Sequence, residues 1–184
     1  ILDNNYLLFV GIAFLFVGGV DLLHTLAHKE MNVFPGRGEN LTVQLWIAAR
    51  YMGSLSLLIA PLLLGRNLKP YLIFAVYTAA TALLLASIFT QGIFPACYVD
   101  GVGLTPFKKM SEYVIAAVYF SSLALLIAKR DTFDREVLWL LVFSILLRVS
   151  SDVAFASQAS VVGPSNIIGH FLRIMSFYLF YKAL

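Results

Sequence analysis

A chain of 184 residues with 60% hydrophobic and 12% charged residues lies outside the soluble globular range, where those shares are about 45–50% and about 25%. The net charge of +3 is modest and spread among connecting segments, so it is no nucleic-acid footprint. A single cysteine, Cys97, excludes an internal disulfide and a multi-cysteine metal centre, and reads as an unpaired surface or lipid-facing thiol.

Apolar stretches near the length of about 20 residues that crosses a hydrocarbon core define an all-α integral membrane bundle of about six helices. The first span runs from about Asn5 to His28, with Gly18-Gly19 placed to permit a close helix approach. No cleavage pattern follows it, so it is not a secretory signal. The second runs from Thr42 to Leu64 and carries Pro61, where a kink is tolerable because neighbouring helices can satisfy the freed carbonyl. The third, Pro70 to Thr90, offers only the hydroxyls of Tyr77, Thr78 and Thr81 and is expected at the periphery. The fourth covers Lys109 to Ala128, the fifth Arg135 to Ser157 and the sixth Ser165 to Leu184. Breakers separate them at Phe34-Pro35-Gly36, Gly65-Arg66-Asn67, Gly101-Val102-Gly103, Lys129-Arg130-Asp131 and Gly163-Pro164. Asn40-Leu41-Thr42 matches a glycosylation acceptor, a triplet too common by chance to carry weight.

Arg66, Lys69, Lys129, Arg130, Arg135 and Lys182 gather on one side of this arrangement, and Lys29, Arg37, Lys108 and Lys109 on the other. That bias favours both termini in the cytoplasm of a multi-pass plasma-membrane protein. Ile1 in place of Met, and the apolar end from Phe177 to Leu184, suggest one membrane domain, 1–184, taken from a longer protein.

Ionisable groups inside spans are costly and face a partner or a cavity. Asp21, His24, Arg50, Glu112, Arg148, Asp152, His170 and Arg173 all fall in the outer half of their spans, with His28 at a helix end. Helical spacing puts Asp21, His24 and His28 on one face, Trp46 with Arg50 on another, and Arg148 with Asp152 on a third. Asn166, His170 and Arg173 form a fourth stripe. Asp21, Glu112 and Asp152 can balance Arg50, Arg148 and Arg173, so a self-satisfied ion-pair network that locks the helices is the plain alternative to a binding site. The histidines are surplus to that balance.

The run Asp21-Leu22-Leu23-His24-Thr25-Leu26-Ala27-His28-Lys29-Glu30-Met31-Asn32-Val33-Phe34, followed by Gln44-Leu45-Trp46-Ile47-Ala48-Ala49-Arg50-Tyr51, resembles the membrane-associated sensor domain called MASE, third type. Asn166-Ile167-Ile168-Gly169-His170, with Phe177-Tyr178 and Tyr181-Lys182-Ala183-Leu184, is similar to the last helix of that family. The resemblance implies an N-terminal sensory module of a bacterial or archaeal histidine kinase or diguanylate cyclase. Its catalytic domains lie downstream, so this chain is no enzyme itself, and a homodimer follows by analogy. It names no ligand.

Three chemistries suit the intramembrane residues. A transition metal would use His24, His28, His170 and Asp21; haem would take two of the histidines. An anionic or quinone-like organic ligand would use the arginines and an aromatic lining of Trp46, Tyr51 and Phe155. In the sensor reading, a small ligand, ion or cofactor held there biases the sixth helix. The competing reading is a membrane-embedded, metal- or haem-dependent redox or proton-transfer protein built on the same residues.

Overall fold

The computed structural model describes residues 4–90, 92–156 and 164–183. Six long helices follow in order: α1 Asn4–Leu26, α2 Gly38–Ile59, α3 Pro70–Phe89, α4 Pro106–Ala128, α5 Arg135–Ala156 and α6 Pro164–Ala183. The first five are long and apolar enough to cross a membrane. The sixth has the length, and its apolar character is diluted by the polar residues it carries inward. Between α3 and α4 a two-stranded hairpin pairs β1 Tyr98–Val99 with β2 Gly103–Leu104, and Gly101 turns it with a φ of 79°.

Helix boundaries follow local chemistry. Thr105 accepts the Lys108 amide on its side chain and Pro106 fills the first turn, so α4 begins three residues before the expected Lys109. At the end of α2, Pro61 does not kink a continuing helix. The α-helix stops at Ile59 and the chain finishes as a 3-10 turn, Ala60–Leu63.

Helices α1, α2, α4, α5 and α6 form a ring in which successive members pack side by side, and Asp21 and Arg173 close it between α1 and α6. Helix α3 lies outside, against α1 and α2. Only Ile88 along it is buried, and Tyr77 docks it through a 2.6 Å hydroxyl contact with Ser56, so its expected peripheral place holds. Contact between α5 and α6 is the tightest. Ser144 and Ser176 exchange hydrogen bonds with each other's carbonyls at 2.9 and 2.8 Å, and Ser151 donates to the Gly169 carbonyl at 2.8 Å. The close helix approach occurs here, at Gly169, where a β-carbon would stand 2.6 Å from the Phe155 ring. Gly18 and Gly19, expected to serve that role, are exposed with nothing within 4 Å of a β-carbon.

The segment between α3 and α4 covers the N-terminal end of α2. Asn40 accepts the Cys97 and Tyr98 amides at 2.8 and 3.0 Å, and Gln44 donates to the Phe94 and Pro95 carbonyls, both at 3.0 Å. Cys97 is consequently buried, neither a surface thiol nor lipid-facing. Its Sγ donates weakly to the Pro95 carbonyl, and burial pushes the thiol up to about 12.

Candidate functional site

Trp46, one turn above Arg50 on α2, is the hub of the intramembrane cluster. Its indole N–H donates to Glu112 Oε1 on α4 at 3.2 Å. The guanidiniums of Arg50 and Arg173 lie 3.8 and 4.8 Å from its ring centroid, distances at which a ring quadrupole attracts a cation. The rings of His24, His170 and Phe155 pack against it at 5.0, 5.2 and 4.7 Å. One aromatic side chain therefore gathers groups from five helices.

Two ion pairs brace this hub. Arg50 Nη1 donates to Asp152 Oδ1 at 3.1 Å, tying α2 to α5, with both side chains fully buried. Arg173 Nη2 donates to Asp21 Oδ2 at 2.9 Å, tying α6 to α1. Each pair uses one hydrogen bond where the arginine fork could make two. Among the described residues, Arg50 Nε and Nη2, Arg173 Nη1 and Asp152 Oδ2 are buried without a hydrogen-bond partner. Such groups cost free energy unless something accepts or donates to them.

The three acids do not pair one to one with the three arginines, because Glu112 does not meet Arg148. Glu112 is taken by Trp46 and by Lys108, whose Nζ lies 3.4 Å from Oε1 and donates at 2.8 Å to the Phe155 carbonyl at the end of α5. Lys108 is buried, not an outer-loop charge. The early start of α4 puts it one turn before Glu112, and the Thr105-Pro106 capping signature was the sequence signal for that start. Among the described residues Arg148 hydrogen-bonds only the Tyr119 hydroxyl, at 3.4 Å, and otherwise meets ring faces: Phe177 at 4.4 Å and Phe14 at 5.3 Å. A balance of three against three becomes four cations against three acids.

The histidines stand at the rim. His24 Nδ1 bonds the Thr42 carbonyl at 2.8 Å. His28 lies beyond the end of α1, half exposed, with its ring 5.1 Å from that of His24. His170 is exposed, against Trp46 and Phe155. Asp21 is engaged by Arg173, so the four residues considered as metal ligands do not form one set. Among the described residues no three His, Cys, Asp or Glu side chains are placed to hold a metal ion. Tyr51 is half-buried at the edge of the apolar core, and the side chain of Asn166 lies outside the described residues.

The arrangement presents charge-assisted donors in a low-dielectric surround, and the same side chains tie the helices to one another. Residues 1–184 match the family model described as a membrane-associated sensor domain, MASE3. No curated protein and no solved structure matches the chain.

Proposed function

The chain belongs to the MASE3 family of membrane-associated sensor domains, and from that premise we propose that its Trp46-centred cluster is the sensing site and α6 the output. A small ligand with acceptor atoms engages the unpaired arginine nitrogens, and the cluster settles into a second arrangement. The observation that carries this is Arg173: it sits on α6, pairs with Asp21 on α1 and stacks on Trp46, so any change at the hub acts on that helix. A signalling domain that follows α6 in the parent protein, a histidine kinase or a diguanylate cyclase, receives the movement, with both ends of this domain on the cytoplasmic side.

The magnitudes are adequate. Taking a two-state element from 1:99 to 99:1 needs about 5.5 kcal/mol of differential binding. Hydrogen bonds to charged groups contribute about 1.5–3 kcal/mol each, so two to four of them suffice. Arg50, Arg148 and Arg173 offer five unpartnered buried nitrogens between them.

The test uses the parent protein in nanodiscs, reading the output of its cytosolic domain. Arg173→Gln, which unties α6 from α1, is expected to fix that output at one level, whereas Arg66→Gln on the connection after α2 leaves it regulated. An Arg173→Gln protein with unaltered output and unaltered regulation would remove the cluster from the signalling path.

A further inference from the structure

The uncompensated charge in this bundle has an address. Among the described residues Arg148 has no carboxylate within 4.0 Å: Asp152, one turn along α5, and Asp21 act on it only through space, and Asp21, Glu112 and Asp152 each have a cation in direct contact. Four cations against three acids leave one positive charge in excess, and protonating any of the acids only widens it. Arg148 is fully buried. Its unpartnered nitrogens are Nε and Nη2, the neighbouring pair along one edge of the guanidinium. That edge is the fork which receives two oxygens of a planar anion side by side. Arg50 leaves the same edge unpartnered, but Asp152 already meets its charge.

We propose that Arg148 is the seat of a small monoanion with two coplanar acceptor oxygens, a carboxylate or an isostere such as nitrate or bicarbonate. The inference rests on the cluster being the sensing site and supplies its ligand class. One excess charge selects a monoanion over sulfate or a phosphate dianion, which would overshoot neutrality in a medium where unpaired charge is expensive. The rings of Phe14 and Phe177 on the guanidinium exclude water and strengthen the fork. Phe177 belongs to α6 and also lies 5.5 Å from the Arg173 guanidinium. An anion that draws Arg148 off the Phe177 face therefore acts on α6 directly. The same fork accepts a free anion from water or the carboxylate of a fatty acid from the bilayer.

The unfolding temperature of the full chain in maltoside micelles separates these cases. Sodium formate or sodium laurate is titrated against sodium sulfate at equal ionic strength. Formate at about 100 times its half-saturating concentration is expected to raise the unfolding temperature by about 5 °C or more. Arg148→Met abolishes that rise and, having lost an uncompensated charge, unfolds no lower than the wild type without added anion. If Arg148→Met does not fold, Arg148→Lys, which keeps the charge and loses the fork, is expected to weaken the formate response at least tenfold. A rise with laurate alone identifies the bilayer carboxylate as the source. No rise with either salt, or an equal rise in wild type and Arg148→Met, overturns the proposal. If that happens while Arg173→Gln still alters the parent protein's output, the sensing site stands and its ligand belongs to another class.

Discussion

Gly169 on α6 passes the Phe155 ring on α5 so closely that a β-carbon would lie 2.6 Å from Cζ. The ring also packs against Trp46 at 4.7 Å, His170 at 5.2 Å and the Arg50 guanidinium at 5.5 Å. Gly169→Ala is therefore expected to drive Phe155 toward Trp46 and to cost about 1–3 kcal/mol by overpacking. Trp139, exposed on α5, is the only other tryptophan, so a Trp139→Phe background makes emission a reporter of Trp46 alone. The emission should shift with the loss of stability, and Phe155→Leu should restore both. Unchanged emission and melting in Gly169→Ala would refute the close approach.

Arg50 and Asp152 pose a different balance. Both are fully buried and joined by one 3.1 Å hydrogen bond. Removing one partner strands the other charge, so Arg50→Met or Asp152→Leu alone should cost about 3–5 kcal/mol. The double variant should recover most of that loss, because two apolar side chains replace two desolvated charges. A double-mutant cycle in micelles measures it. Additive single effects would show that the two groups do not depend on one another.

Topology carries its own prediction. With Lys108 inside the bundle, only Lys29, Arg37 and Lys109 remain on the hairpin side, against six lysines and arginines opposite, which strengthens the positive-inside bias. In a Cys97→Ala background, Val102→Cys in the exposed hairpin should react with an impermeant maleimide on intact cells. Asp131→Cys, exposed between α4 and α5, should react only after permeabilisation. The reverse pattern would invert the orientation and place α6's end outside.

The helix number and the polar stripes were legible because hydrophobic length and helical spacing are local properties. Trp46 and Arg50, one turn apart, announced a shared face, and Asp21, Asp152 and Arg173 each announced an acid or cation needing a partner. Pairing was not legible. Glu112 could satisfy Arg148 or Lys108, and only the start of α4 decides which. Gly18-Gly19 looked like a packing notch and Gly169 did not, since a glycine's neighbours are set by the facing helix and not by its own sequence. Arg148 looked paired while the charges were merely counted, and its isolation is a matter of distance.

Cys97 supplies a probe of the segment over α2. Thiolate is the reactive form, and with the thiol held near 12 about one in ten thousand molecules is ionised at pH 8. The folded chain should therefore resist iodoacetamide at pH 8, with a rate rising about tenfold per pH unit above it, whereas the unfolded chain reacts readily. The sign for stability follows. Folding keeps the thiol neutral, so its contribution is complete below the ordinary thiol value of 9.0 and is lost as pH rises from there toward 12. Asn40 holds the Cys97 and Tyr98 amides together, so Asn40→Ala should free the segment and accelerate alkylation at pH 8 without denaturant. Equal rates in wild type and Asn40→Ala would mean that Asn40 does not hold the thiol closed, and rapid alkylation of the folded wild type would mean that the thiol is not buried at all.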